Sequence, residues 1–291
     1  MRFLFVDRVM ELSPAKFIRG IKHITRDDPY LCHDEENRLC FISSLIGEAL
    51  GQLAAWNIMV SNDFKQRPVA GLTSIARLHR PAYVGETLLL ESFIDHLDES
   101  AVQYHSIARV QDEVIFTIDG ALGPLLPMED FIDPSIARRQ FAEIDRPGEW
   151  PCPVSFANEL VPSDNPSYRV APMLFDRIIT SEPGVQLSAE KKITRAAPYF
   201  PDHFPNKPVL PLTVLLECKL NLAREFVVRA GFEKPYRVRE VRKIKMKEFV
   251  YPGDILVCHL TVKKHDAEQL VLTYRSEVEG KRVCVLEVVL I

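Results

Sequence analysis

Apolar and polar positions switch between two periods along the chain, and they do so twice. The runs ETLLLESFI (86–94), VQYHSIARV (102–110) and EVIFTIDGAL (113–122) alternate with a period near two and predict β-strands. DILVCHLTV (254–262), LVLTYRSEV (270–278) and RVCVLEVVLI (282–291) do the same near the other end. Ahead of each set, two short β-patterned runs flank a turn, SPAK (13–16) in one case and SEPG (181–184) in the other. Each set also follows a long segment that is apolar nearly all round, Ser43 to about Val60 and Leu212 to about Ala230. Segments of that kind predict buried helices. Pro211 suits a helix start, where its missing N–H costs nothing.

The two halves align residue by residue. With a constant offset of 169, Asp7-Arg8 falls on Asp176-Arg177, Pro14 on Pro183, Ile24-Thr25-Arg26 on Ile193-Thr194-Arg195 and Pro29-Tyr30 on Pro198-Tyr199. The same offset carries Glu48 onto Glu217, and YVGETLLLESFIDHL (83–97) matches YPGDILVCHLTVKKH (251–265) at an offset of 168. Chance does not produce such a series, so the chain is one unit written twice. One buried helix wrapped by one antiparallel sheet is an α+β unit, and two copies cover each other's open edges by pairing. The expected organisation is a first repeat over 1–123, a proline-rich linker over 124–170 with a short helix at Asp133–Ile144, and a second repeat over 171–291. Asp133 suits the cap of that helix and Pro134 its first turn.

Composition narrows the function classes. At 47% apolar and 26% charged residues the chain is of ordinary globular make-up, and a net charge of −4 gives no reason to expect nucleic acid as the main partner. The opening MRFLFVDRVMEL is too short and too interrupted by charge for a secretory signal or a membrane span. Six cysteines (32, 40, 152, 218, 258, 284) lack CxxC spacing, which favours reduced thiols in a cytoplasmic protein. Cys32, His33 and Cys40 lie close together but lack four-ligand spacing, so no metal is expected.

The candidate chemistry sits in PYFPDHFPNKPVLPLTVLLE (198–217), where a histidine in a proline-rich loop precedes a buried helix with a glutamate fourteen residues on. His203, Phe204, Pro205, Pro208, Val209, Pro211 and Glu217 match the motif of the β-hydroxyacyl-ACP dehydratases, and LFVDRV, ARLHRPAYVGE and MKEFVYPGD also resemble that family. The resemblance implies a double hot-dog fold, two tandem antiparallel sheets each wrapped around a central helix. It also implies that each active site takes its histidine from one unit and its carboxylate from the other. Carried over, His203 meets Glu48, with Gln52 one turn further along the same helix face as a helper. The reciprocal site needs a histidine at position 34, where this chain has Asp34; His33 is adjacent, and Glu217 is expected to belong to a vestigial site.

Elimination of water from a 3-hydroxyacyl thioester needs a base for the C2 proton and an acid for the C3 hydroxyl. Histidine suits the first role, and a carboxyl in an apolar tunnel, its pKa raised by desolvation, suits the second. Backbone N–H groups at the start of the 212–230 helix are expected to stabilise the thioester oxygen. Leu212, followed by Thr213, replaces the glycine of the family motif and puts bulk beside that oxygen. Aromatics such as Tyr199, Phe200 and Phe204 are expected in the core or the tunnel wall.

The implied substrate is bound to acyl carrier protein or CoA through phosphopantetheine, with no other cofactor. Basic residues at Arg237, Arg239, Lys243, Lys245 and Lys247 are placed on one strand face by alternation, either a solvated face or a docking surface for an acidic carrier. The internal pairing makes a pseudo-dimer and leaves higher homo-oligomers open. Enoyl thioester hydration by the same residues and a non-catalytic carrier-binding protein are the rival readings. A thioesterase fits less well, because the histidine-proline motif belongs to the dehydratase branch.

Overall fold

The computed structural model describes residues 3–149, 173–232 and 234–291; Cys152 and the linker residues 150–170 lie outside these segments. The first repeat contains β1 (Arg8–Ser13), β2 (Phe17–His23), β3 (Leu31–His33), β4 (Leu39–Phe41), α1 (Ser43–Ser61), β5 (Gln66–Pro68), β6 (Leu72–Leu78), β7 (Thr87–Leu97), β8 (Ala101–Val110) and β9 (Glu113–Pro127). Then come α2 (Pro134–Ile144), β10 (Arg177–Glu182), β11 (Gln186–Lys192), α3 (Leu212–Ala230), β12 (Val238–Met246), β13 (Ile255–His265), β14 (Leu270–Val278) and β15 (Lys281–Leu290). The apolar faces of α1 and α3 are buried against their sheets, as their all-round hydrophobicity predicts.

The main sheet runs β1-β2-β7-β8-β9-β6-β12-β15-β14-β13-β11-β10. Under the repeat alignment its second half reads as the first half reversed, which is the signature of a pseudo-twofold through the middle. The two tandem sheets cover each other's open edges by pairing, as expected. Strands β6 and β12 pair antiparallel, Ala76 opposite Val241, and fuse the halves into one sheet. Left apart, each would expose a row of unpaired amides and carbonyls, and pairing satisfies both.

Local chemistry explains how the helix lies so close to the sheet. A Cβ on Gly20 would stand 2.6 Å from the Arg8 carbonyl and 3.0 Å from Leu53 of α1, so only glycine lets β2 pass there. Helix α3 ends on Gly231 in the left-handed conformation, φ +65°, which glycine adopts without a steric penalty.

The boundary at 123 is corrected, because β9 continues to Pro127 and its end pairs with β5. Helix α2 forms as expected, with the Asp133 side chain accepting from the Ser135 amide at 2.7 Å. It does not hang free. Phe141 packs on Trp56 and Phe64, with ring centroids 5.7 and 6.2 Å away, so α2 roofs the first repeat beside α1.

The basic stretch departs from simple alternation. β12 shifts register between Val238 and Glu240 and again between Arg242 and Lys245, and Val241 is buried. Arg237, Arg239, Lys243, Lys245 and Lys247 are all exposed nonetheless, because the irregularities turn successive segments outward. Part of the charge is already matched: Arg237 pairs with Glu35, and Lys243 shares Glu287 with Arg242 and Lys263.

Candidate active site

Glu48 stands on α1 and points to the seam, where the start of α3 arrives from the other repeat. Its Oε2 accepts from the Thr213 hydroxyl at 2.6 Å and its Oε1 from Gln52 Nε2 at 3.0 Å. Gln52 is fixed in turn: Nε2 also donates to the Phe3 carbonyl at 3.1 Å, and Oε1 accepts from the Phe5 amide at 2.9 Å. These four bonds settle the orientation of the carboxamide and hold the carboxylate from the side. Thr213 reaches Glu48 across 165 residues of sequence, so the constellation exists only when the repeats pair.

His203 is delivered by the 199–209 loop. The loop closes through the His203 amide on the Tyr199 carbonyl at 2.9 Å and the Val209 amide on the His203 carbonyl at 3.1 Å. The ring Nδ1 lies 2.9 Å from the Val209 carbonyl. A carbonyl can only accept, so Nδ1 carries the proton and Nε2 is left with its lone pair. Burial pushes the imidazole pKa below the ordinary 6.5, against the opposing pull of Glu48 and the Val209 hydrogen bond. The ring stacks on Phe204 at 4.1 Å and meets the edge of Phe3 at 5.9 Å. Next to it, Asp202 accepts from the Phe3 amide at 2.7 Å, which ties the histidine loop to the segment that holds Gln52.

Glu48, Gln52, His203, Leu212 and Thr213 all line one cavity of about 460 Å³, within the usual range for a small-molecule site. Its exposed lining residues, Ala70, Leu72, Leu122, Lys247 and Glu248, form a mouth at the β6–β12 seam. Its buried end lies along α1 at Trp56 and Met59, under Ile132 and Ala137 of the α2 region. The groove exists because Gly47, Gly51 and Ala55 recur four residues apart and make one side of α1 small. Helix α3 begins on Pro211 with no side-chain cap; as at any helix start its first amides have no intrahelical acceptor, and Leu212 and Thr213 line the cavity.

The second site keeps the glutamate but differs in the histidine position and in how its groups are bonded. Asp34, in the place of the histidine, is bound to Arg38 and Tyr83. His33 is exposed on β3. Glu217 Oε1 accepts from Arg224 at 3.3 Å, while its Oε2 is buried with no partner. Ser44, the counterpart of Thr213, also has a buried hydroxyl without a partner, so the hydroxyl–carboxylate bond of the first site is not made here. Along α3 the small stripe is replaced by Leu216, Leu220 and Arg224. Cys32 and Cys40 face each other across β3 and β4, with sulfurs 3.6 Å apart.

Of the expected aromatics, Phe204 lines the cavity, and Tyr199 and Phe200 are buried in the core. Phe3, Asp202, Tyr104 and Arg67 were not anticipated. Nothing in local pattern marks them, although a lone arginine before proline in an otherwise apolar stretch (Arg67-Pro68-Val69-Ala70) was a usable signal.

A family model of the FabA-like domain matches residues 169–288. The curated 3-hydroxyacyl-[acyl-carrier-protein] dehydratase FabZ of Shewanella woodyi is 32% identical over 120 residues, 40% of this chain and 79% of that protein. Among solved structures, the dehydratase domain of the polyketide PpsC from Mycobacterium tuberculosis superposes with a TM-score of 0.58 at 12% identity, covering 98% of this chain and 97% of that one. An acyl-ACP thioesterase from Bacteroides thetaiotaomicron gives 0.56 at 14% identity, covering 94% and 98%. At these identities the two structures speak for the double hot-dog fold alone.

Proposed function

Since the chain belongs to the hot-dog family of 3-hydroxyacyl-[acyl-carrier-protein] dehydratases, we propose that it removes water from 3-hydroxyacyl thioesters at a single site on the seam of its two repeats. The observation that carries the reading is Glu48 of one repeat, clamped by Gln52 and Thr213, in one cavity with a neutral His203 of the other. His203 Nε2 takes the C2 proton, and the charge that gathers on the thioester oxygen is met by the first amides of α3. The C3–O bond breaks as Glu48, in the role of general acid, gives a proton to the leaving oxygen, and one water departs. Transfer of a proton from the imidazolium back to Glu48 through solvent restores both groups. The same residues serve hydration of an enoyl thioester, because the path is reversible.

The carrier reading rests on the exposed basic positions near the mouth, with Lys247 at the rim and Arg239 and Lys245 further along β12. Phosphopantetheine would bring the acyl group in past Leu72 and Leu122. The test is direct: the protein is mixed with a 3-hydroxyacyl-ACP, and loss of one water is followed by mass spectrometry. Turnover to the 2-enoyl product is expected. Binding without turnover would favour a carrier-binding protein instead.

The small stripe on α1 makes a further expectation. A Cβ on Gly51 meets nothing closer than the Tyr104 hydroxyl at 3.8 Å, so Gly51→Ala is accommodated. Gly51→Leu blocks the groove and is expected to lower kcat/KM at least about tenfold for acyl chains long enough to pass it, with a much smaller effect on short ones. Equal losses at every chain length would place the acyl group elsewhere.

A further inference from the structure

Arg67 lies in the wall of the cavity with no acid bonded to it among the described residues; Glu48 of the same cavity acts on it only through space. Its Nε is closed off from solvent and has no hydrogen-bond partner, and its guanidinium makes no ion pair among the described residues. Other half-buried arginines, Arg19, Arg77, Arg80, Arg109 and Arg242, each rest on a carboxylate. What Arg67 does have is aromatic faces: its Cζ lies 3.8 Å from the Phe204 centroid and 5.6 Å from that of Phe131. Stacking of this kind stabilises the charge but leaves the in-plane N–H fork unused. Burial lowers its pKa to about 10, so it stays charged at neutral pH.

Its place in the cavity narrows what it can bind. Arg67 belongs to the stretch of chain that leads from the mouth at Ala70–Leu72 back to Phe64, which packs on Phe141 of the α2 roof. Phe204 separates it from His203, so it is one ring removed from the reacting atoms. Tyr104 lines the same cavity; its hydroxyl also makes no hydrogen bond among the described residues and, with a pKa raised to about 12 by burial, remains a donor. An unfilled planar fork and a hydroxyl in the same cavity, set back from the mouth, match a group with two acceptor oxygens and a negative charge.

On the reading of the site as a thioester dehydratase, we propose that Arg67 seats a carboxylate carried by the acyl chain itself, so that the preferred substrates are 3-hydroxyacyl thioesters with an acidic group on the chain. A purely alkyl chain leaves the guanidinium buried against hydrocarbon. A carboxylate of the right reach supplies the missing acceptor, and Tyr104 donates to it from the side.

The test uses N-acetylcysteamine thioesters of saturated acyl groups, C6 to C10, with and without a terminal carboxylate. They lack the 3-hydroxyl and cannot eliminate, so calorimetric binding reads Arg67 whether or not the protein proves to be a dehydratase. At one chain length the full-length protein should bind the carboxylated member at least about tenfold more tightly, as expected for a hydrogen-bonded charge pair. Arg67→Met should erase the difference, and Arg67→Lys should retain part of it. Matched 3-hydroxy substrates should show the same preference in kcat/KM. No preference in the unaltered protein at any length would overturn the assignment without reference to a variant. So would an Arg67→Met protein that weakens both series alike, which would mark Arg67 as a prop for Phe204.

Discussion

Replacement of His203 by alanine should lower kcat for dehydration of a 3-hydroxyacyl thioester by about 10²–10⁴, the usual contribution of a positioned general base. The loss should fall on kcat more than on KM if, as proposed, the ring acts on the reacting carbon while the rest of the cavity holds the chain. The pH profile gives a second, sharper expectation. With burial holding the imidazole pKa below 6.5, the base form persists into mildly acidic solution, and the acid limb of kcat/KM should lie below about 6.5. The sign for stability follows from the same shift. The unfolded chain takes up a proton at the ordinary value while the folded one resists it, so folding loses stability as pH falls through 6.5. A profile whose acid limb lies above that value, or a His203→Ala protein with nearly full activity, would remove His203 from the role of base.

The second large effect is an asymmetry between two glutamates that occupy equivalent positions. Glu48→Gln keeps the shape and the contacts with Thr213 and Gln52 but cannot supply a proton, and should lower kcat by about 10²–10³. Glu217→Gln, where Arg224 is the bonded neighbour and His33 faces solvent, should change kcat less than about twofold. The comparison is informative because a duplicated enzyme with two working sites would lose about half its activity in either variant. Equal, partial losses would therefore show that both halves of the seam are in use.

Several parts of this arrangement were legible in the chain as written. The strands, the two buried helices and the cap at Asp133 follow from local periodicity and turn chemistry. That Glu48 and His203 share one cavity followed from the repeat offset and the family motif together. The one-sidedness was also written there, in Asp34 at the histidine position and in Gly47, Gly51 and Ala55 against Leu216, Leu220 and Arg224. The clamp on Gln52 was not. It depends on Phe3 and Phe5 lying across α1, 49 and 47 residues away in sequence, and no short-range pattern specifies which backbone amide a buried carboxamide will meet.

What the sequence by itself determined is the duplication and the unequal divergence of its copies, because each repeat needs the other's edge and the histidine of the motif in one copy falls on Asp34 in the other. The tertiary structure alone decided that β6 and β12 are the strands that join the halves, that α2 closes the far end of the groove, and that Arg67 enters the cavity stacked on aromatic faces with no acid bonded to it. The physical reason is a difference of range. Periodicity and capping act over a few residues and can be read in order along the chain. Edge pairing, cavity shape and the company of a buried charge are set only when segments distant in sequence close on one another.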